Sequence, residues 1–174
     1  MKVCDESIDW YNRNNQLLLD DEALLAECSL DFFKSTGKGG QKKNKTSSAV
    51  RLIHTSTQTE AVMGNFRSQG DNKKVAIKQL KINLAVKWRK LPLMAWDKNV
   101  ALGASFIINE KNKLYPLLVA VLLDHLDFYN YQVSKAAESL KISTGQLIKV
   151  LKKHPTVWQV TNQNRVKLGL KNLK

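Results

Sequence analysis

The chain has 174 residues, 43% of them hydrophobic, a composition typical of a folded protein and not of a disordered one. Its formal net charge is +13, and because residues 1–30 are acidic, the basic excess lies in residues 31–174. Two cysteines are too few for a disulfide scaffold. The basic excess favours a polyanionic partner, although solvated surface lysines are the alternative.

The N-terminus and the apolar segments bear on where the protein acts. The first residues lack the basic and apolar regions of a secretory signal, and their acidity is unlike a mitochondrial presequence. The longest uncharged apolar run, Leu114 to Leu123, is far short of the roughly 20 residues that span a bilayer. We therefore expect a cytoplasmic protein without a membrane partner.

The first predicted elements are a short helix and a strand. Residues 20–27 have acidic side chains where a helix begins, which predicts a capped helix. Residues 28–33 alternate with a period of two, which predicts a strand leading into a glycine-rich loop at residues 35–45. Two further strands are predicted at Ser48 to His54 and Glu60 to Met63, joined by a turn that lacks the expected glycine.

The rest of the chain is predicted to be helical. Apolar residues recur from Asn72 until Pro92, which indicates one long helix with a basic polar face. Further helices are predicted at 115–126, 132–140 and 143–154, the last with a capping box of Ser143 and Gln146. We expect Pro155 to end this helix. The apolar stretches 157–160 and 165–168 then predict a small hairpin, or wing.

Residues 35–51 carry the sequence Ser-Thr-Gly-Lys-Gly-Gly-Gln-Lys-Lys-Asn-Lys-Thr-Ser-Ser-Ala-Val-Arg. A Gly-Gly-Gln tripeptide alone is more typical of a flexible hairpin turn. The longer segment resembles the signature of class I peptide chain release factors, and Arg67-Ser68-Gln69 with Asn72-Lys73 stands where that family has a second conserved block. The resemblance covers residues 20–90 and implies the small α+β catalytic (GGQ) domain, an antiparallel sheet with a long helix.

The resemblance implies hydrolysis of peptidyl-tRNA by Gly39, Gly40 and Gln41. Glycines 39 and 40 lack a Cβ, so the backbone can approach RNA closely. Gln41 has a backbone N–H and an amide that both donates and accepts. In the family these groups stabilise the leaving ribose oxygen and order water, and the glutamine is N5-methylated, so a glutamine methyltransferase is an expected partner.

Basic residues around the loop are candidate contacts to ribosomal or transfer RNA, with solvated lysines as the alternative. Arg67 and Gln69 either touch RNA or brace the loop. Lys38 replaces the family's frequent proline, and Lys42-Lys43 replaces His-Val, so the loop is more basic and less preordered. The predicted RNA-binding residues of this domain are Lys38, Lys42, Lys43, Lys45, Arg67 and Lys73.

The resemblance stops short of a codon-reading factor, which is about twice this length. We therefore expect an enzyme that acts codon-independently as a ribosome-dependent peptidyl-tRNA hydrolase and rescues stalled ribosomes, its partners being peptidyl-tRNA and the peptidyl-transferase centre of the large subunit. Neither cofactor nor metal is expected, because the three histidines and two cysteines lack ligand spacing.

The predicted domains are the catalytic domain at 1–92, a connector at 93–113 and a basic module at 114–174. Residues 1–19 of the catalytic domain are either ordered or a flexible extension. The module's helices have the spacing of a helix-turn-helix or winged helix, and Lys149, Lys152 and Lys153 would line its recognition helix toward mRNA, small-subunit rRNA or other RNA. A three-helix bundle with a solvated face is the alternative. The alternative function is a non-catalytic RNA- or DNA-binding module or regulator that keeps the catalytic domain as an adaptor.

Overall fold

The computed structural model describes residues 10–34, 47–89, 92 and 108–174. The chain divides into two compact units, Met1–Lys87 and Trp88–Lys174. The first contains α1 (Trp10–Leu18), α2 (Asp21–Ala26), β1 (Cys28–Phe33), β2 (Ala49–His54), β3 (Thr59–Met63) and α3 (Gln69–Lys87). The second contains α4 (Tyr115–Phe128), α5 (Val133–Ser139), α6 (Thr144–Lys152) and α7 (Pro155–Lys167).

The first unit is an antiparallel three-stranded sheet covered by the long helix α3, so the α+β prediction is confirmed. The strands lie in the order β1-β2-β3, and α3 packs against β2 and β3. Val50 and Leu52 of the central strand are fully buried, as are Leu80 and Leu84 of α3. Side chains alternate between the two faces of β2, so one face of this strand packs against the helix. Burial of the apolar side chains of β2 and α3 forms the core.

The turn between β2 and β3 is closed without glycine. Gln58 adopts the left-handed conformation at φ 49°, and its side chain donates to the carbonyl of Thr55 at 2.7 Å. The fully buried His54 has hydrogen-bond contacts with Thr57 Oγ1 at 2.8 Å and Glu27 Oε2 at 3.0 Å. His54 thus links the turn to the end of α2.

Helix α1 belongs to this unit, although its residues were predicted as part of a possible extension. It packs against α3 and buries Leu17 and Arg13. Lys81 of α3 donates to the carbonyl of Leu19 at 2.7 Å and lies 3.1 Å from Asp21 Oδ1. These contacts fix the chain between α1 and α2 on the helix.

The second unit is built around α4, whose residues 115–124 are all buried. Consecutive helices pack against each other along the chain. The predicted capping box is confirmed, because Ser143 Oγ accepts from the N–H of Gln146 and Gln146 Oε1 accepts from the N–H of Ser143. None of the helices that the structure describes is long and apolar enough to cross a membrane.

The predicted hairpin after Pro155 is wrong. Pro155 begins helix α7 instead of merely ending α6, because a proline without an N–H fits the first turn of a helix. Val157 and Thr161 lie one turn apart and are both fully buried, and Thr161 Oγ1 donates to the Val157 carbonyl at 2.8 Å. Packing of this helical face outweighs the β-propensity of the valines and threonines, so no wing forms in residues 155–167.

Candidate functional site

The ends of the glycine-rich loop are fixed by the sheet. Phe33, the last residue of β1, pairs with Ala49, the first residue of β2. The segment between these two residues therefore leaves and re-enters the sheet at the same end of the strands. Gly39, Gly40 and Gln41 lie in this segment, between residues 35 and 46, outside the described residues. The same is true of four predicted RNA-binding residues, Lys38, Lys42, Lys43 and Lys45.

Asn72 clamps the point where the loop returns to the sheet. Its fully buried side chain donates from Nδ2 to the carbonyl oxygens of Ser48 and Phe66, each at 2.8 Å, and accepts from the Phe66 N–H at 2.9 Å. An amide can make this bidentate contact because it carries both a donor and an acceptor. The first turn of α3 is thereby tied to the residue that precedes β2.

The second sequence block adds further contacts at this place. Gln69 Nε2 donates to the carbonyl of Ser47 at 3.0 Å, and Ser68 Oγ accepts from the Asp71 N–H at 3.2 Å. Of the two roles left open for Gln69, the structure shows bracing of the loop's return. Arg67 is exposed and Lys73 is partly exposed, so both basic groups are accessible beside the clamp.

Asn72 is part of the second sequence block, but the sequence alone indicates no specific role for it. Its partners lie 24 and 6 positions away along the chain, so only the folded arrangement of α3 against the sheet brings them together. Two features of the sequence favour a structural role for Asn72. The polar residue falls near the beginning of an apolar-periodic helix, and a buried amide in such a position needs partners.

Strand β1, which leads into the loop, is more exposed than β2. Leu30 and Phe32 of β1 are 37% and 40% exposed, whereas their cross-strand neighbours Leu52 and Val50 are fully buried. The guanidinium of Arg51 lies 5.3 Å from the centre of the Phe33 ring, a cation–π contact at the beginning of the loop. Both ends of the segment are therefore held by side-chain contacts as well as by strand pairing.

The three lysines predicted on the recognition helix have different surroundings. Lys149 and Lys152 of α6 are exposed. The Lys152 ammonium lies 5.3 Å from the centre of the Trp158 ring. Lys153 is partly buried, and its Nζ donates to the carbonyl of Ile108 at 2.8 Å. The structure therefore brings Lys149 and Lys152 together on the surface and directs Lys153 into the unit.

Tyr115 Oη and His154 Nδ1 of the helical unit are buried and have no hydrogen-bond partner among the residues that the structure describes. Burial raises the pKa of Tyr115 to about 12, and the charge of Glu110 adds to this rise. Burial lowers the pKa of His154, against the opposing charge of Glu110. Both shifts disfavour the ionised side chains. Within the described ranges, no group of three His, Cys, Asp or Glu side chains could hold a metal ion.

Comparison with known proteins identifies the first unit's relatives. Residues 22–98 match the family model of the RF-1 domain. Peptide chain release factor 2 of Shewanella baltica is 40% identical over 70 residues, which is 38% of this chain and 19% of that protein. The corresponding protein of Yersinia pestis is 44% identical over 66 residues, 38% of this chain and 18% of its own length.

The same protein of Tolumonas auensis is 46% identical over 59 residues, or 34% of this chain and 16% of the relative. The matched segment thus covers only about a fifth of the length of these relatives, for example 19% of the Shewanella baltica protein. No solved structure matches significantly. The likeness concerns the unit that carries the loop and its clamp.

Proposed function

We propose that this chain, whose residues 22–98 match the family model of the RF-1 domain, hydrolyses the peptidyl-tRNA ester on the ribosome through Gly39, Gly40 and Gln41. The observation that carries the proposal is the support of the loop. Its two ends are paired strands, and its return is held by Asn72 and Gln69. A loop that must enter an RNA-lined centre needs a rigid base.

The chemistry requires few side chains. A water molecule attacks the ester carbonyl, and negative charge develops on the carbonyl oxygen. The bond to the ribose 3′ oxygen then breaks, and this oxygen takes up a proton that the attacking water gives up, which leaves a hydroxyl on the tRNA and a carboxyl on the peptide. The Gln41 N–H would donate to the departing oxygen, and its side-chain amide would order the attacking water. Glycines 39 and 40 would let the backbone approach the ribosomal RNA without a Cβ in the way.

The decisive experiment is peptide release from ribosomes stalled on a truncated mRNA, with Gln41→Ala as the variant. This variant keeps the backbone N–H and removes the side-chain amide that would order the attacking water. Loss of one preorganised polar group typically lowers the rate by about 100-fold or more, and we expect a decrease of this order. Gln69→Ala serves as a second variant that weakens support without removing the catalytic amide. Equal release by wild type and Gln41→Ala would refute the catalytic assignment.

We further propose that stalled complexes are the substrate and that release does not depend on a codon. The support is the basic helical unit, which offers a polyanion-binding element in the same chain. Release should be as fast with an empty A site as with a stop codon there. A strict requirement for a stop codon contradicts the proposal, and activity on isolated large subunits would place the substrate after subunit splitting.

N5-methylation of Gln41 is proposed from the same family match, together with a glutamine methyltransferase as a partner. The modification keeps the backbone N–H that the proposed chemistry uses. Mass spectrometry of the peptide containing residues 35–46 should show one added methyl group in protein from its native cell. An unmodified glutamine in that protein would rule the modification out.

A second candidate function is a non-catalytic nucleic-acid adaptor, favoured by the helix-turn-helix spacing of α5 and α6. It predicts salt-sensitive nucleic-acid binding by the helical unit and no peptide release. The release assay therefore separates the two functions.

A further inference from the structure

Helices α5 and α6 form a helix-turn-helix. Helix α5 has seven residues and α6 has nine, and residues 140–143 connect them. Lys141 adopts the left-handed conformation at φ 54° in this turn, and Ser143 caps α6. Buried Ala136 and Ala137 allow the second helix to approach the first closely, the packing on which helix-turn-helix modules depend.

The face of α6 directed away from this packing is basic. Leu147, Val150 and Leu151 are buried, whereas Lys149 and Lys152 are exposed. The two lysines are three positions apart, so their side chains are neighbours on one side of the helix. No carboxylate side chain follows Glu138 in the sequence, so this basic pair lacks an acidic neighbour from the rest of α6 or from α7.

Gly145 in the first turn of α6 indicates a close external contact. It is exposed, and a Cβ built there would come no nearer than 3.9 Å to Ser143 Oγ, so internal packing leaves room for alanine. Glycine in a helix costs about 1 kcal/mol relative to alanine. The first N–H groups of a helix have no partner within it. In α6 the Gln146 N–H donates to Ser143 Oγ, and the glycine leaves the N–H groups that precede it exposed to a large anionic ligand.

The lysine side chains are prepared to different degrees. The Trp158 ring restrains the ammonium of Lys152 at 5.3 Å, which reduces the conformational entropy that binding would remove. Lys153 is committed to the carbonyl of Ile108. Arg165 of α7 donates to the carbonyl oxygens of Tyr131 and Lys171, so it too serves the fold.

We propose that the outer face of α6, from Thr144 to Lys152, binds the phosphate backbone of double-helical RNA through Lys149, Lys152 and the backbone around Gly145. The RNA identity rests on the proposed ribosomal function. The phosphate chemistry rests on the face itself, where ammonium groups and first-turn N–H donors match phosphate oxygens.

The face is poorly equipped to read base sequence. Base-specific contacts typically use arginine, asparagine or glutamine in bidentate pairs. On α6 the only such side chain is Gln146, and its Oε1 is engaged by the Ser143 N–H. Backbone contacts dominate, so binding depends on helix geometry and charge and varies little with sequence.

The test measures binding of the full-length protein to a labelled RNA hairpin with about ten base pairs, close to one helical turn, by fluorescence anisotropy at several salt concentrations. The variant is Lys149→Gln with Lys152→Gln. Two lost phosphate contacts should reduce the slope of log affinity against log salt by about two and weaken binding by about tenfold or more.

The matched control is Lys167→Gln with Lys171→Gln, which removes two exposed positive charges from α7 and the segment after it. It should retain most of the affinity. An equal loss in both double variants would overturn the proposal in favour of diffuse attraction. Gly145→Ala should also weaken binding although it favours the helix, and unchanged affinity would exclude the close backbone approach.

A DNA duplex of the same sequence is the comparison ligand. Tighter binding to DNA than to RNA would overturn the RNA assignment. The assay uses naked nucleic acid, so its failure leaves the Gln41 release result standing. Conversely, if Gln41→Ala has normal release while the hairpin assay succeeds, only the proposed catalytic function fails.

Discussion

Replacing Asn72 by alanine tests whether the loop's return is held as the structure indicates. The substitution removes three hydrogen bonds to the backbone of Ser48 and Phe66. The Ser48 carbonyl belongs to a residue that is only 9% exposed, so leaving it unpaired costs about 1–3 kcal/mol. Phe66 is 47% exposed and water can replace its two bonds, at about 0.5 kcal/mol each.

The expected loss of stability is therefore about 3 kcal/mol, or roughly a hundredfold increase in the population of the open state. Hydrogen exchange followed by mass spectrometry measures this for the amides of β2. Peptides from α4 provide an internal reference in the same sample, because they belong to the other compact unit. We expect faster exchange in β2 and unchanged exchange in α4.

Asn83→Ala is the matched control on the same helix. Asn83 Nδ2 donates to the carbonyl of Glu60 at 2.7 Å in an exposed bond, and its Oδ1 accepts from Gln79 at 2.8 Å. Because solvent can replace an exposed bond, we expect a loss of about 1 kcal/mol or less. Equal effects of the two substitutions on β2 would refute the assignment of Asn72 as a buried clamp.

Three further outcomes are expected in the helical unit. Tyr115→Phe should stabilise it by about 1 kcal/mol because the buried hydroxyl has no partner within the described part of the chain, whereas Tyr131→Phe should destabilise it by a similar amount because its hydroxyl accepts from Asn164 at 2.7 Å. Thermal unfolding compares the two variants, and the same sign for both would contradict this expectation. Because burial lowers the pKa of His154, the unfolded chain binds its proton more readily, so stability should fall as pH decreases through 6.5 and His154→Gln should reduce that fall in parallel denaturation curves; an unchanged pH dependence would show that His154 is not its source. Ser143→Ala should lower the free energy of unfolding by about 1 kcal/mol because it removes the cap of α6. Denaturation followed by circular dichroism measures this loss, and an unchanged midpoint would contradict the prediction.

Local patterns predicted most elements of the sheet-containing unit. The alternation in residues 28–33 and the apolar recurrence after Asn72 depend on which faces are buried, and burial of those faces decides the structure. Helix α1 was not predicted, because Asn14 and Asn15 weaken any helical pattern in a short segment. Its contact with α3 through Leu17 supplies stability that local sequence does not contain.

The candidate site was predictable in composition but not in geometry. The Gly39-Gly40-Gln41 tripeptide and its flanking blocks are visible in the sequence, whereas the hydrogen bonds of Asn72 depend on a tertiary contact. The lysines of α6 illustrate the same limit, since spacing alone places Lys149 and Lys153 on one face. Only the position of Ile108 reveals that Lys153 is occupied within the fold.

Because Phe33 pairs with Ala49, the sheet can form independently of the composition of the glycine-rich segment between them. Once both ends are fixed by strands, each doubling of the connecting length costs only about 0.6 kcal/mol in closure entropy. Insertions and substitutions between the strands therefore have little thermodynamic effect on the scaffold. The length and charge of this segment can therefore change while the supporting fold stays intact.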